Sequence, residues 1–137
     1  MRRVTGIGGI FFKSKDPKQL KNWYEEHLGI TPSDESGSVF EWRKAEEQEK
    51  LRHTVWSLFS QTTTYLGDST ASFMINYRVE NLHALLALLR DEGVTVDEKI
   101  EEHEYGKFGW IVDPEGNRIE LWEPPKEWTW DGTIPMK

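Results

Sequence analysis

The sequence predicts one α+β domain built from two copies of a βαβββ unit. Three observations lead there: a strand running into a capped helix occurs twice, several strand-like runs follow each helix, and corresponding features stay about 65 residues apart. Ile10-Phe11-Phe12-Lys13 matches Ile75-Asn76-Tyr77-Arg78, and Leu28-Gly29-Ile30 matches Glu92-Gly93-Val94. A period of this size marks duplication of a supersecondary unit, because one βαβββ unit leaves a sheet face uncovered that a second copy can bury. The chain is read as a single domain over residues 1–137, with a first unit at about 3–67, a second at about 70–123 and a tail at 124–137.

Val4 to Ser14 is rich in Ile, Phe and Gly without helical spacing, and reads as a strand. Asp16 caps the following helix and Pro17 takes its first position, where a missing N–H costs nothing. Leu20, Trp23, Tyr24 and Leu28 make its apolar stripe, and Gly29 ends it. A polar turn at Ser33 to Gly37 precedes a short strand near Ser38 to Lys44, a charged connection from Ala45 to Arg52, and β-rich runs at Thr54 to Phe59 and Thr62 to Leu66. The second copy opens with a strand through Met74, Ile75, Tyr77 and Val79. A helix from about Asn81 to Glu92 follows, with Leu82, Leu85, Leu86, Leu88 and Leu89 on one face. Strands are expected near Val94 to Glu101, Gly109 to Val112 and Arg118 to Glu123, the last two joined by the turn Asp113-Pro114-Glu115-Gly116-Asn117.

Composition narrows the function. A formal charge of −7, with cations interspersed among acids, argues against nucleic-acid binding, which needs clustered Lys and Arg. A mean hydropathy of −0.68 and the lack of a long apolar run argue against a membrane span. The arginines at the N-terminus precede no apolar secretory segment, so a cytoplasmic location is expected. With no cysteine there is no disulfide, thiolate site or cysteine nucleophile. Seven tryptophans suit an apolar pocket as well as a core.

Three segments carry a resemblance: Asp16 to Tyr24 with Leu28-Gly29 closing the first helix, Val79-Glu80-Asn81 opening the second, and Asp113-Pro114-Glu115-Gly116-Asn117-Arg118-Ile119-Glu120-Leu121. They span roughly residues 4–123, and the last is the most specific. The chain resembles the vicinal oxygen chelate superfamily, which includes glyoxalase I, extradiol dioxygenases and the fosfomycin and bleomycin resistance proteins. The resemblance implies a cupped, barrel-like mixed sheet with helices outside, and a homodimer. In metal-dependent relatives, His, Gln or Glu side chains at matching points of the two halves hold a divalent ion. Carried over, those points fall at Gly9, Met74, about Trp56 and Glu120. Of these only Glu120 keeps a ligand, and one carboxylate does not hold a catalytic ion. His27 and His83 are expected on the surface, and His53 and His103 bring no partner set. Neither a metal nor another cofactor is expected.

If Glu120 faces the cup, strand alternation turns Trp122 inward as well. Phe11, Trp56, Met74, Asn76 and Arg78 join them as candidate ligand-binding residues, with Tyr105 on a glycine-flanked loop at the mouth. Glu120 has three readings: a general base with a raised pKa, a partner for Arg78, Lys13 or a cationic ligand, or a vestige of a metal-binding ancestor. The aromatic and Met walls either enclose a small, partly planar organic molecule or fill the cup. The resulting expectation is a metal-independent small-molecule-binding protein of the bleomycin-resistance type. The alternative is a glyoxalase-type lyase, isomerase or dioxygenase using Glu120 as base or an atypical metal site. Trp128 and Trp130 in the tail are expected to pack on the body or on a second subunit.

Overall fold

The computed structural model describes residues 2–34, 37–67 and 71–126. The elements are β1 (Val4–Ser14), α1 (Pro17–Leu28), β2 (Gly37–Lys44), β3 (Glu47–Ser60), β4 (Phe73–Val79), α2 (Leu82–Asp91), β5 (Thr95–His103), β6 (Gly106–Val112) and β7 (Arg118–Glu123). Both helices begin where their caps dictate: Asp16 Oδ1 accepts from the Gln19 N–H at 3.1 Å, and Asn81 Oδ1 from the Ala84 N–H at 3.1 Å. Gly29 ends α1 at φ 70°, its N–H reaching the Glu25 carbonyl. A Cβ there would meet nothing within 4 Å, so Gly29→Ala adds backbone strain alone. We expect it to lower unfolding stability by about 1 kcal/mol, read from the urea midpoint.

The seven strands form one open mixed sheet in the order β2-β3-β1-β4-β7-β6-β5, as an α+β duplication requires. β1 and β4 pair antiparallel at its centre, and each takes the last strand of its own half, β3 or β7, as a parallel partner. Among the described residues the first half departs from the expected βαβββ pattern and contributes β1, α1, β2 and β3. Residues 62–66, expected as a strand, form turns. Local hydroxyl contacts capture that backbone: the Thr62 N–H donates to Ser60 Oγ and the Tyr65 N–H to Thr63 Oγ1. The supposed connection at 45–52 is largely strand, because its alternating charges sit on a solvated hairpin with β2.

Two cores lie on opposite faces. Helix α2 packs Leu82, Leu85 and Leu86 against Val79 and Leu121, with Tyr77, Ile111 and Ile119 around them. On the same face Tyr24 of α1 packs on Trp56, ring centroids 4.9 Å apart. The opposite face carries Phe11, Val55, Leu66, Met74, Phe108, Trp110 and Trp122. Trp56 was expected in the second group but belongs to the first. It stands level with Ile10 in the β1–β3 ladder, and Ile10 is level with Ile75 and, one strand further, Ile119, all on the helix face. Val55 and Ser57 face the aromatic core in its place.

Candidate functional site

Glu120 sits at the middle of the aromatic face. It lies level with Asn76 on β4 and with Trp110 on β6, so three adjacent strands present their side chains to one point. Its carboxylate is 0% exposed and accepts three hydrogen bonds: from Asn76 Nδ2 to Oε1 at 2.7 Å, and from Tyr65 Oη at 2.6 Å and Trp110 Nε1 at 2.9 Å to Oε2. Burial raises the carboxyl pKa, and the three donors oppose that rise by favouring the charged form. The Tyr65 hydroxyl is pushed above the ordinary phenol range, first by burial and then by the Glu120 charge. Each of these donors is a neutral group, and among the described residues no ion pair joins Glu120 to Arg78 or Lys13, the partners considered from sequence.

The other expected residues divide between core and cleft. Phe11, Met74, Asn76 and Trp122 are buried around Glu120. The Trp122 indole stacks on Phe108, 6.2 Å between centroids at 12°, and donates from Nε1 to the Tyr105 carbonyl at 2.9 Å. The Tyr105 ring stacks on His103 at 4.8 Å and abuts Phe108 at 5.7 Å. Arg78, level with Trp122, lines a cleft of about 350 Å³ that opens between the starts of β1 and β3 and the ends of β4 and β7. His53 and Arg52 also line it. The His53 pKa is lowered by burial, with Glu41 opposing and Arg78 reinforcing that shift.

Sequence reasoning missed Tyr65, Trp110, Trp42 and Arg52. Trp110 was within reach, since a turn at Asp113 to Asn117 places Val112 opposite Arg118 and hence Trp110 opposite Glu120. Tyr65 had no such signal, because it comes from a turn that no register fixes. Trp42 sits where Gly6 leaves room: a Cβ on Gly6 would fall 2.5 Å from Trp42 Cη2.

These residues do not fit a chelated ion. Among the described residues no three His, Cys, Asp or Glu side chains gather as a metal-binding group. Met74 is a thioether, Gly9 has no side chain, and both Glu120 oxygens already accept hydrogen bonds from neutral donors. His27 and His83 lie on the surface, with side chains 51% and 52% exposed. Trp128 and Trp130 lie outside the described residues.

The model of the Glyoxalase/Bleomycin resistance protein/Dioxygenase superfamily matches residues 6–121. Methylmalonyl-CoA epimerase from Mycobacterium tuberculosis has a similar structure, with TM-score 0.56 and 22% identity, covering 90% of this chain and 91% of that one. A variant of the Streptomyces coelicolor epimerase in complex with 2-nitronate-propionyl-CoA gives TM-score 0.64 at 16% identity, over 88% and 98% of the two chains. A superfamily member from Vibrio splendidus 12B01 gives 0.54 at 9%, over 85% and 97%. Likenesses at these identities carry the fold alone. No curated protein sequence matches the chain.

Proposed function

The chain belongs to the Glyoxalase/Bleomycin resistance protein/Dioxygenase superfamily, and from that premise we propose that it binds a small organic molecule without a metal ion. The observation that carries this reading is that both oxygens of Glu120, the one side chain that keeps a ligand type at the matching points, are engaged by neutral side-chain donors. A carboxylate held by Tyr65, Asn76 and Trp110 organises an aromatic wall, and both of its oxygens already accept from neutral protein donors. A ligand's place is the cleft at the ends of β4 and β7, lined by Arg78, whose guanidinium lies near the Trp42 and Trp122 rings. The Streptomyces coelicolor neighbour, with its bound 2-nitronate-propionyl-CoA, supports an organic ligand on this fold. A cytoplasmic homodimer completes the proposal. Exposed Val4, Ile7, Ile10 and Phe73 on the central strands would give a second copy an apolar face to cover.

Protein purified without chelator is expected to carry no stoichiometric Ni, Zn, Mn or Fe by elemental analysis, and its melting temperature is expected to stay unchanged on adding EDTA. A stoichiometric ion whose removal lowers that temperature overturns the proposal. The second reading, an isomerase or lyase, is favoured by one observation: burial raises the Glu120 pKa in the direction a general base needs. It requires a substrate to reach the buried carboxyl, and it predicts that Glu120→Gln loses turnover while ligand affinity persists.

A further inference from the structure

The chain carries a net charge of −7, yet its cleft is cationic. Five Lys or Arg side chains line it against two acids, Glu47 and Glu80, which leaves three excess positive charges. Both acids are already engaged: Glu80 by Arg2 at 2.6 Å, and Glu47 by Lys50 and Arg52, each at 3.2 Å. Arg78 receives no such partner. Among the described residues its side chain makes no hydrogen bond or ion pair, and its buried Nε is unsatisfied. Its guanidinium instead lies 5.3 Å from the Trp122 ring centroid and 6.0 Å from that of Trp42. Arg52, itself 8% exposed, has its Cζ 5.7 Å from the same Trp42 ring and leaves Nη1 unsatisfied. Burial and the neighbouring Arg52 charge push the Arg78 pKa down to about 10, so the cation persists at neutral pH against a cost.

Two guanidiniums near one Trp42 ring, each with one unsatisfied nitrogen and beside Leu51 and Pro125, supply the positive charge and donors that an anion requires. We infer that this cleft binds an organic oxyanion, a carboxylate or phosphate carried on an apolar or aromatic body, with Arg78 and Arg52 as its donors and Leu51 and Pro125 against its body. The inference rests on the reading of the chain as a small-molecule binder and adds the charge class of the ligand.

The full chain in dilute Tris chloride is titrated with benzoate, phenyl phosphate and the neutral analogue benzamide, following tryptophan fluorescence and melting temperature. Both oxyanions are expected to change the fluorescence saturably and raise the melting temperature, benzamide to do neither, and inorganic phosphate to displace benzoate. The tighter of benzoate and phenyl phosphate identifies the headgroup. Arg78→Met keeps the stem near the indoles and is expected to weaken the better oxyanion roughly 10- to 100-fold, the scale of a charged hydrogen bond. Arg52→Met is expected to weaken it as well, and serves alone should Arg78→Met fail to give a native circular dichroism spectrum. Tighter binding of benzamide overturns the oxyanion class while leaving the small-molecule reading intact. No response to any of the three probes, or equal oxyanion affinity in a folded variant, overturns the inference and leaves Arg78 a packing residue.

Discussion

Glu120→Ala is expected to destabilise the protein by on the order of 3–5 kcal/mol, enough to unfold a domain of ordinary stability. The loss has two sources. Removing the carboxylate leaves the buried Asn76 amide and Trp110 indole N–H, and the part-buried Tyr65 hydroxyl, without their acceptor, and each buried unsatisfied donor costs about 1–3 kcal/mol. It also opens a void between β4, β6 and β7 that their ladders hold apart. Glu120→Gln behaves differently. Its carbonyl accepts from Tyr65 and Trp110, and the Asn76 amide can turn to present its oxygen to the new N–H group, so the network is rebuilt without a charge. Chemical denaturation of the three proteins side by side checks the ranking; an alanine variant as stable as the parent removes Glu120 from the core.

The same residue sets a pH signature. Its folded pKa lies above the unfolded carboxyl value, so its contribution is greatest below the unfolded pKa and is lost as pH rises through the folded pKa. Asp113 and Glu101 act oppositely. Their pKa values are lowered, by hydrogen bonds from Asn117 and His103 respectively, and their contributions fade on acidification. Those groups are common to parent and Glu120→Gln, and they cancel in the difference. Melting temperatures measured between about pH 4 and 8 are therefore expected to show the parent losing ground to Glu120→Gln as pH rises. A difference that does not change with pH would place the Glu120 pKa at its ordinary value.

Trp122→Ala is expected to cost about 3–5 kcal/mol, the range for truncating a buried tryptophan. Trp122 is fully buried, ties β7 to the Tyr105 turn through its indole N–H, stacks on Phe108 and supports the Arg78 guanidinium. Trp122→Phe is expected to retain more of the stability, since a ring still meets Phe108 while the Tyr105 carbonyl loses its donor. Thermal denaturation followed by near-ultraviolet circular dichroism reports both. A Trp122→Ala protein that melts with the parent would show that the aromatic face is loosely filled.

The sequence by itself determined what local chemistry controls. Asp16-Pro17 with Gly29, and Asn81 with the Leu82, Leu85 and Leu86 face, position the two helices. The turn at Asp113 to Asn117 sets the β6–β7 register. Period-two alternation sends Phe11, Met74, Asn76, Glu120 and Trp122 to one face. Only the tertiary structure decided which side of the sheet takes Trp56, because alternation gives the period of a strand and leaves its phase to the neighbouring ladder. It also decided that Tyr65 reaches across 55 residues to the Glu120 carboxylate, and that Arg52 and Arg78 share the Trp42 ring. Such contacts join segments distant along the chain, and no spacing within either segment encodes the other's position.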